Sequence, residues 1–154
     1  MAELDFSVLG KPRPKGSSKW VRSKSTGKSV PVGNEALEDW EAKIAHEARR
    51  QFEENFSAAA KLWDVPVCLE VVFTFQRPKS HHKSNDRTKP LRACAPDHPR
   101  NEADRDKLLR AVQDALEGVI YTNDKLVCEG PVSKVYGDTP GVRVWMSRME
   151  QAAT

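Results

Sequence analysis

Three aspartates and one arginine, Asp104, Asp106, Asp124 and Arg110, have the residue types and spacing to handle a phosphate. They sit in residues 101–127, NEADRDKLLRAVQDALEGVIYTNDKLV. Arg110 lies four residues after Asp106, and Asp114 four after Arg110. Positions four apart share one face of a helix. Hard divalent cations such as Mg²⁺ and Mn²⁺ take oxygen ligands, usually a few carboxylates completed by water and phosphate oxygens. Asp104, Asp106 and Asp124 could hold such an ion if the turn at 121–124 folds back over the helix start. The plainer alternative is a capped, solvated helix. Asp104 or Asp106 would then be the N-cap, Arg110 an ion-pair partner and Asp114 a surface charge.

The elements that must position these groups are legible from hydrophobic period. Leu108, Leu109, Val112, Ala115 and Leu116 form the apolar stripe of a helix over 105–117. Gly118 suits a left-handed cap, and Val119–Tyr121 reads as a short strand. Leu37, Trp40, Ile44, Ala48, Phe52 and Phe56 recur at helical spacing after Asn34, a good N-cap, and predict a helix over 35–57. Residues 65–75 alternate, with Val67, Leu69, Val71, Phe73 and Phe75 on one face of a strand. Further strands are expected at 4–9, at 30–32, over 126–136 with a break at Gly130-Pro131, and at 142–146 as the return of a final hairpin. The expected fold is a single α+β domain over 1–154. Its sheet, mixed or antiparallel, has four to five strands and is packed by two main helices.

Charge is unevenly distributed. Residues 1–34 carry seven Lys/Arg against two acids, and residues 77–101 carry the same, so each segment has a net charge of +5. The rest of the chain is at −7. Two basic segments beside an acidic body point to a polyanion partner. The first contains a proline-punctuated loop, 10–28, and the second is a long loop without periodicity, expected to order on DNA. Lys11, Arg13, Lys15, Lys19, Arg22, Arg100 and Lys107 are the candidates for phosphate contact. Trp20 could stack on a base or clamp its own loop. No stretch has the roughly 20 apolar residues that span a bilayer, so no membrane partner is expected. The three cysteines, an odd number without Cys-x-x-Cys spacing, fit a reduced, cytoplasmic protein.

The stretch Asp104-Arg105-Asp106-Lys107-Leu108-Leu109-Arg110, then Asp114-Ala115-Leu116-Glu117-Gly118, then Asn123-Asp124 resembles the signature of the RusA family of Holliday junction resolvases. Gly10-Lys11-Pro12-Arg13-Pro14-Lys15-Gly16 resembles that family's N-terminal Gly-x-Pro-x-Pro-Lys-Gly pattern. Ala103, Lys107, Arg110, Glu117 and Asn123 stand where the family carries proline, asparagine, lysine, asparagine and aspartate. The resemblance implies an endonuclease that cuts four-way DNA junctions by paired phosphodiester hydrolysis as a homodimer, in a bacterial or phage-infected cell. It implies Mg²⁺ or Mn²⁺ held by Asp104, Asp106 and Asp124, and Arg110 in the place of the catalytic lysine. It also implies a phosphate or active-site contact from Lys134 and a histidine, here His98, shortly before the acidic motif. The departures motivate an alternative, a catalytically degenerate protein that grips branched DNA without cutting.

Overall fold

The computed structural model describes residues 2–16, 19–32 and 34–150; the side chains of 19, 20 and 30–32 lie outside that description. The expected α+β class is observed. The chain runs β1 (Leu4–Leu9), β2 (Lys19–Arg22), β3 (Ser29–Val32), α1 (Glu35–Asn55), β4 (Val67–Phe75), α2 (Arg105–Leu116), β5 (Val127–Glu129), β6 (Val132–Tyr136) and β7 (Gly141–Arg148). Five strands form one mixed sheet. β7 lies between β1 and β4, antiparallel to both, and β5 and β6 follow one another, parallel, along the other side of β4.

Both helices cover one face of that sheet. Trp40, Ile44, Ala48 and Phe52 of α1 are buried, as are Leu108, Ala111, Val112, Ala115 and Leu116 of α2. They meet Leu4, Phe6 and Val8 of β1 and the alternate residues Val67 to Phe75 of β4, each 0–2% exposed in β4. Each such side chain contributes roughly 1.5–3 kcal/mol by leaving water. An exposed, solvent-screened ion pair such as Arg50–Glu54 contributes far less, so burial decides the fold. Asn34 caps α1 as expected, its side chain accepting from the Leu37 amide at 3.2 Å.

Four expectations need correction. Val119–Tyr121 is a turn rather than a strand, held by isolated bridges from Tyr121 to Trp63 and to Glu117. β6 and β7 are not a hairpin, because β4 separates them. The basic loop 10–28 is interrupted by β2, which pairs with β3 as a small hairpin. Segment 77–101 is already folded on itself: the Lys83 amide donates to the Pro90 carbonyl at 3.0 Å and Arg92 to the His82 carbonyl at 3.0 Å.

The break between β5 and β6 has a steric cause. Gly130 has φ +138°, and a Cβ there would lie 1.8 Å from the Leu69 carbonyl oxygen. Only glycine permits that approach. Gly130→Ala should therefore lower stability by at least about 2 kcal/mol, read from urea midpoints. An unchanged midpoint would show that β5 and β6 do not pass β4 in this way.

Candidate functional site

α2 carries the site along its length. Asp104 is its N-cap residue, yet its side chain accepts no capping hydrogen bond; Lys107 Nζ lies 3.5 Å from it instead. Asp106 follows in the first turn and is exposed. The helix dipole favours both acids there by about 0.3–1 kcal/mol each. Among the described residues neither carboxylate is consumed by a backbone amide. β6 runs beside this end. Lys134 donates to the Ala103 carbonyl at 3.1 Å, and Arg105 to the Val132 carbonyl at 3.4 Å. Lys134 therefore stands next to the acidic motif.

The far end of α2 is folded over by residues 117–126. Gly118, at φ +77°, turns the chain, and its amide donates to the Tyr121 carbonyl at 2.8 Å. The Tyr121 hydroxyl is buried and donates to the Gln113 carbonyl at 2.7 Å; burial pushes its pKa far up, so it remains a donor. Trp63 pins the turn through its amide to Ile120 and its carbonyl from Thr122. Asn123 then caps a 3-10 turn over Asp124–Leu126, accepting from the Lys125 amide at 2.9 Å. The result places Asp124 beside Asp114 and Glu117, with one carboxylate oxygen of each within 4.8 Å of the others.

The turn therefore folds over the end of the helix and not its start. Asp104 and Asp114 are ten residues apart, about 15 Å along the axis. Within one chain Asp124 gathers with Asp114 and Glu117, while Asp104 and Asp106 stand apart at the other end. Glu117 has a sequence signal, being three residues after Asp114 and directly before the capping glycine.

Lys15 enters the same cluster from the N-terminal segment. Its Nζ lies 2.6 Å from Asp114 and 3.2 Å from Glu41, and its amide donates to the Lys107 carbonyl at 3.0 Å. The bond to Asp114, with help from Glu41, raises the lysine's pKa, so it stays charged. Lys15 is thus an internal partner of the acidic site. Of the other basic candidates, Lys11 and Arg13 are exposed beside a cleft of about 220 Å³ that Trp40 and Asp39 also line. Arg22 braces its hairpin through the Gly27 carbonyl at 3.1 Å. Arg100 and Lys107 are exposed, and His98 lines a separate cavity. The side chains of Lys19 and Trp20 lie outside the described part.

Arg110 is exposed on α2 between Asp106 and Asp114. Among the described residues no carboxylate lies within ion-pair distance of it, and Asp114 is engaged by Lys15. An exposed unpaired guanidinium flanked by carboxylates can hold a phosphate in a bidentate manner.

The model of the family described as endodeoxyribonuclease RusA matches residues 9–147. An uncharacterised protein, YqaN of Bacillus subtilis (strain 168), is 28% identical over 146 residues, covering 92% of this chain and 93% of YqaN.

Proposed function

The chain belongs to the RusA endodeoxyribonuclease family, and on that premise we propose a Mg²⁺- or Mn²⁺-dependent resolvase that nicks four-way junctions in pairs as a homodimer. It would act in the cytoplasm, where branched DNA forms. The family as such is one of endonucleases that resolve Holliday junctions. The observation that supports the metal reading is the approach of one carboxylate oxygen each from Asp114, Glu117 and Asp124 to within 4.8 Å of one another. Their donor set is all carboxylate oxygen, which fits a hard cation. Asp104 and Asp106 offer the same chemistry at the start of α2. A bound ion would lower the pKa of an attacking water and stabilise charge on the phosphoryl oxygens.

The chain's own residues divide the remaining work. Asp104 and Asp106 are the proposed ligands at the start of α2, and Asp124, with Asp114 and Glu117 beside it, the proposed ligand at its end; a single ion held by both groups would need a second copy of the chain. Arg110 would orient the scissile phosphate, and Lys134, beside Ala103, would be a further phosphate or active-site contact. Lys11, Arg13, Lys19, Arg22, Arg100 and Lys107 would neutralise the phosphates of the junction arms without reading sequence.

Cleavage of a synthetic four-way junction should require Mg²⁺ or Mn²⁺ and stop on chelation. Ca²⁺ should support binding without turnover. Cutting in the presence of excess EDTA would overturn the carboxylate reading. The degenerate alternative draws support from Lys15, whose ammonium occupies Asp114. Junction binding with no cutting at any metal concentration would establish that alternative.

A further inference from the structure

A second cavity, of about 480 Å³, opens where the 77–101 segment folds against the end of β6. Its lining includes Tyr136, Arg77, His82, Arg87, Leu91 and Asp138. This volume is in the range of small-ligand sites. Its chemistry is mixed in a specific way. Tyr136 supplies an aromatic ring, with the Arg77 guanidinium 4.4 Å from its centroid and the His81 ring nearly perpendicular at 5.5 Å. Arg77 is fixed by donating to the Pro96 carbonyl at 2.7 Å. Leu91 is 42% exposed and adds an apolar wall to the cavity. Arg87 is exposed, with its Nε 3.4 Å from the Arg77 carbonyl, and among the described residues the rest of its guanidinium has no partner and can meet an anion.

We propose that this cavity takes one unpaired nucleotide, its base against Tyr136, Arg77 and Leu91 and its phosphate on Arg87. Planar bases stack on aromatic rings and on arginine planes, and a cation at the rim meets the phosphate. The Asp138 carboxylate adds an acceptor for a base amino group. The cavity also lies near the acidic motif. Tyr136 and Lys134 are two residues apart on β6 and so face the same side, about 7 Å apart along the strand. Lys134 touches Ala103, the residue before Asp104. A nucleotide in the cavity would neighbour a phosphate held at the helix start. That last placement rests on the nuclease reading; nucleotide binding itself does not.

The test uses the full chain and a short fluorescein-labelled single strand, with a duplex of the same sequence as control. Deoxynucleoside monophosphates serve as competitors. Leu91→Asp and Arg87→Ala change exposed side chains, so thermal melts should match the wild type. Each should weaken single-strand binding by about ten-fold or more, Leu91→Asp by placing a charge against the base and Arg87→Ala by removing a charge-assisted phosphate contact. Competition by the monophosphate as strongly as by the unlabelled strand identifies a free nucleotide as the ligand. Competition by the strand alone identifies an unpaired position in DNA. If both folded variants bind the strand as the wild type does, the proposal is overturned. Metal-dependent junction cleavage alongside that result would leave the nuclease reading intact. Leu91-dependent strand binding without any cleavage would overturn the nuclease reading and leave the cavity's role standing.

Discussion

Asp106→Asn should lose junction cleavage by on the order of 10³-fold while junction binding is retained. The change removes the charge of a hard-cation ligand and hardly alters shape. Asp106 is exposed in the first turn of α2 and makes no hydrogen bond that its loss would leave unpaired among the described residues. The fold should therefore not notice, and a lost rate reports chemistry. Asp124→Asn should have a similar effect for the same reason. Single-turnover cleavage and gel-shift binding of the same junction separate the two steps. Cutting at the wild-type rate by Asp106→Asn would remove that residue from the site.

The geometry makes the pair of variants more informative together. Asp106 and Asp114 are eight residues apart, about 12 Å along the helix, and Asp124 sits beside Asp114. One ion cannot be shared between Asp106 and Asp124 across that distance within a chain. In the proposed homodimer a second copy could supply the missing carboxylate. Mixed dimers of Asp106→Asn and Asp124→Asn subunits decide between the cases. A site shared between copies leaves one site intact, and single nicks return. Sites contained within each chain leave none, and the mixture stays inactive.

The sequence was readable where one local period dominates. The alternation of Val67 to Phe75 and the helical stripes of Trp40 to Phe52 and Leu108 to Leu116 each record a face turned to one core. Val119–Tyr121 forms a turn although its apolar triplet satisfies strand propensity equally well. What decides it is Gly118 reversing the chain and Tyr121 reaching back to Gln113, a contact between side chain and backbone that no period encodes. The order β7-β4-β6 was equally hidden. Gly137 to Gly141 has hairpin-turn chemistry, yet β6 pairs in parallel with one edge of β4 and β7 antiparallel with the other, so the turn joins strands that do not pair. Lys15 looked like a phosphate contact from its loop. Its partners, Asp114 and Glu41, lie far along the chain, and only the packing of α1 against α2 brings them to it.

Arg110 shows the reverse case, in which structure removes the plain reading. Its spacing from Asp106 and Asp114 suggested a surface ion pair worth about 0.5 kcal/mol. Asp114 is instead taken by Lys15 at 2.6 Å, and among the described residues Arg110 has no carboxylate within reach. An unpaired guanidinium on the acidic face of α2 contributes nothing evident to stability. Its placement fits the task of holding an incoming phosphate. Arginine cannot give up its proton near neutral pH, so its contribution must be charge and bidentate geometry rather than acid catalysis. Arg110→Ala should then slow single-turnover cleavage by about 10²- to 10³-fold, the cost of one good charge-stabilising contact. Arg110→Lys should be only mildly slower, since a point charge remains but the fork is lost. The thermal midpoint of both variants should match the wild type. A faster Arg110→Lys enzyme would mean that proton donation limits the reaction. Wild-type cleavage by Arg110→Ala would reduce the residue to an exposed helix charge.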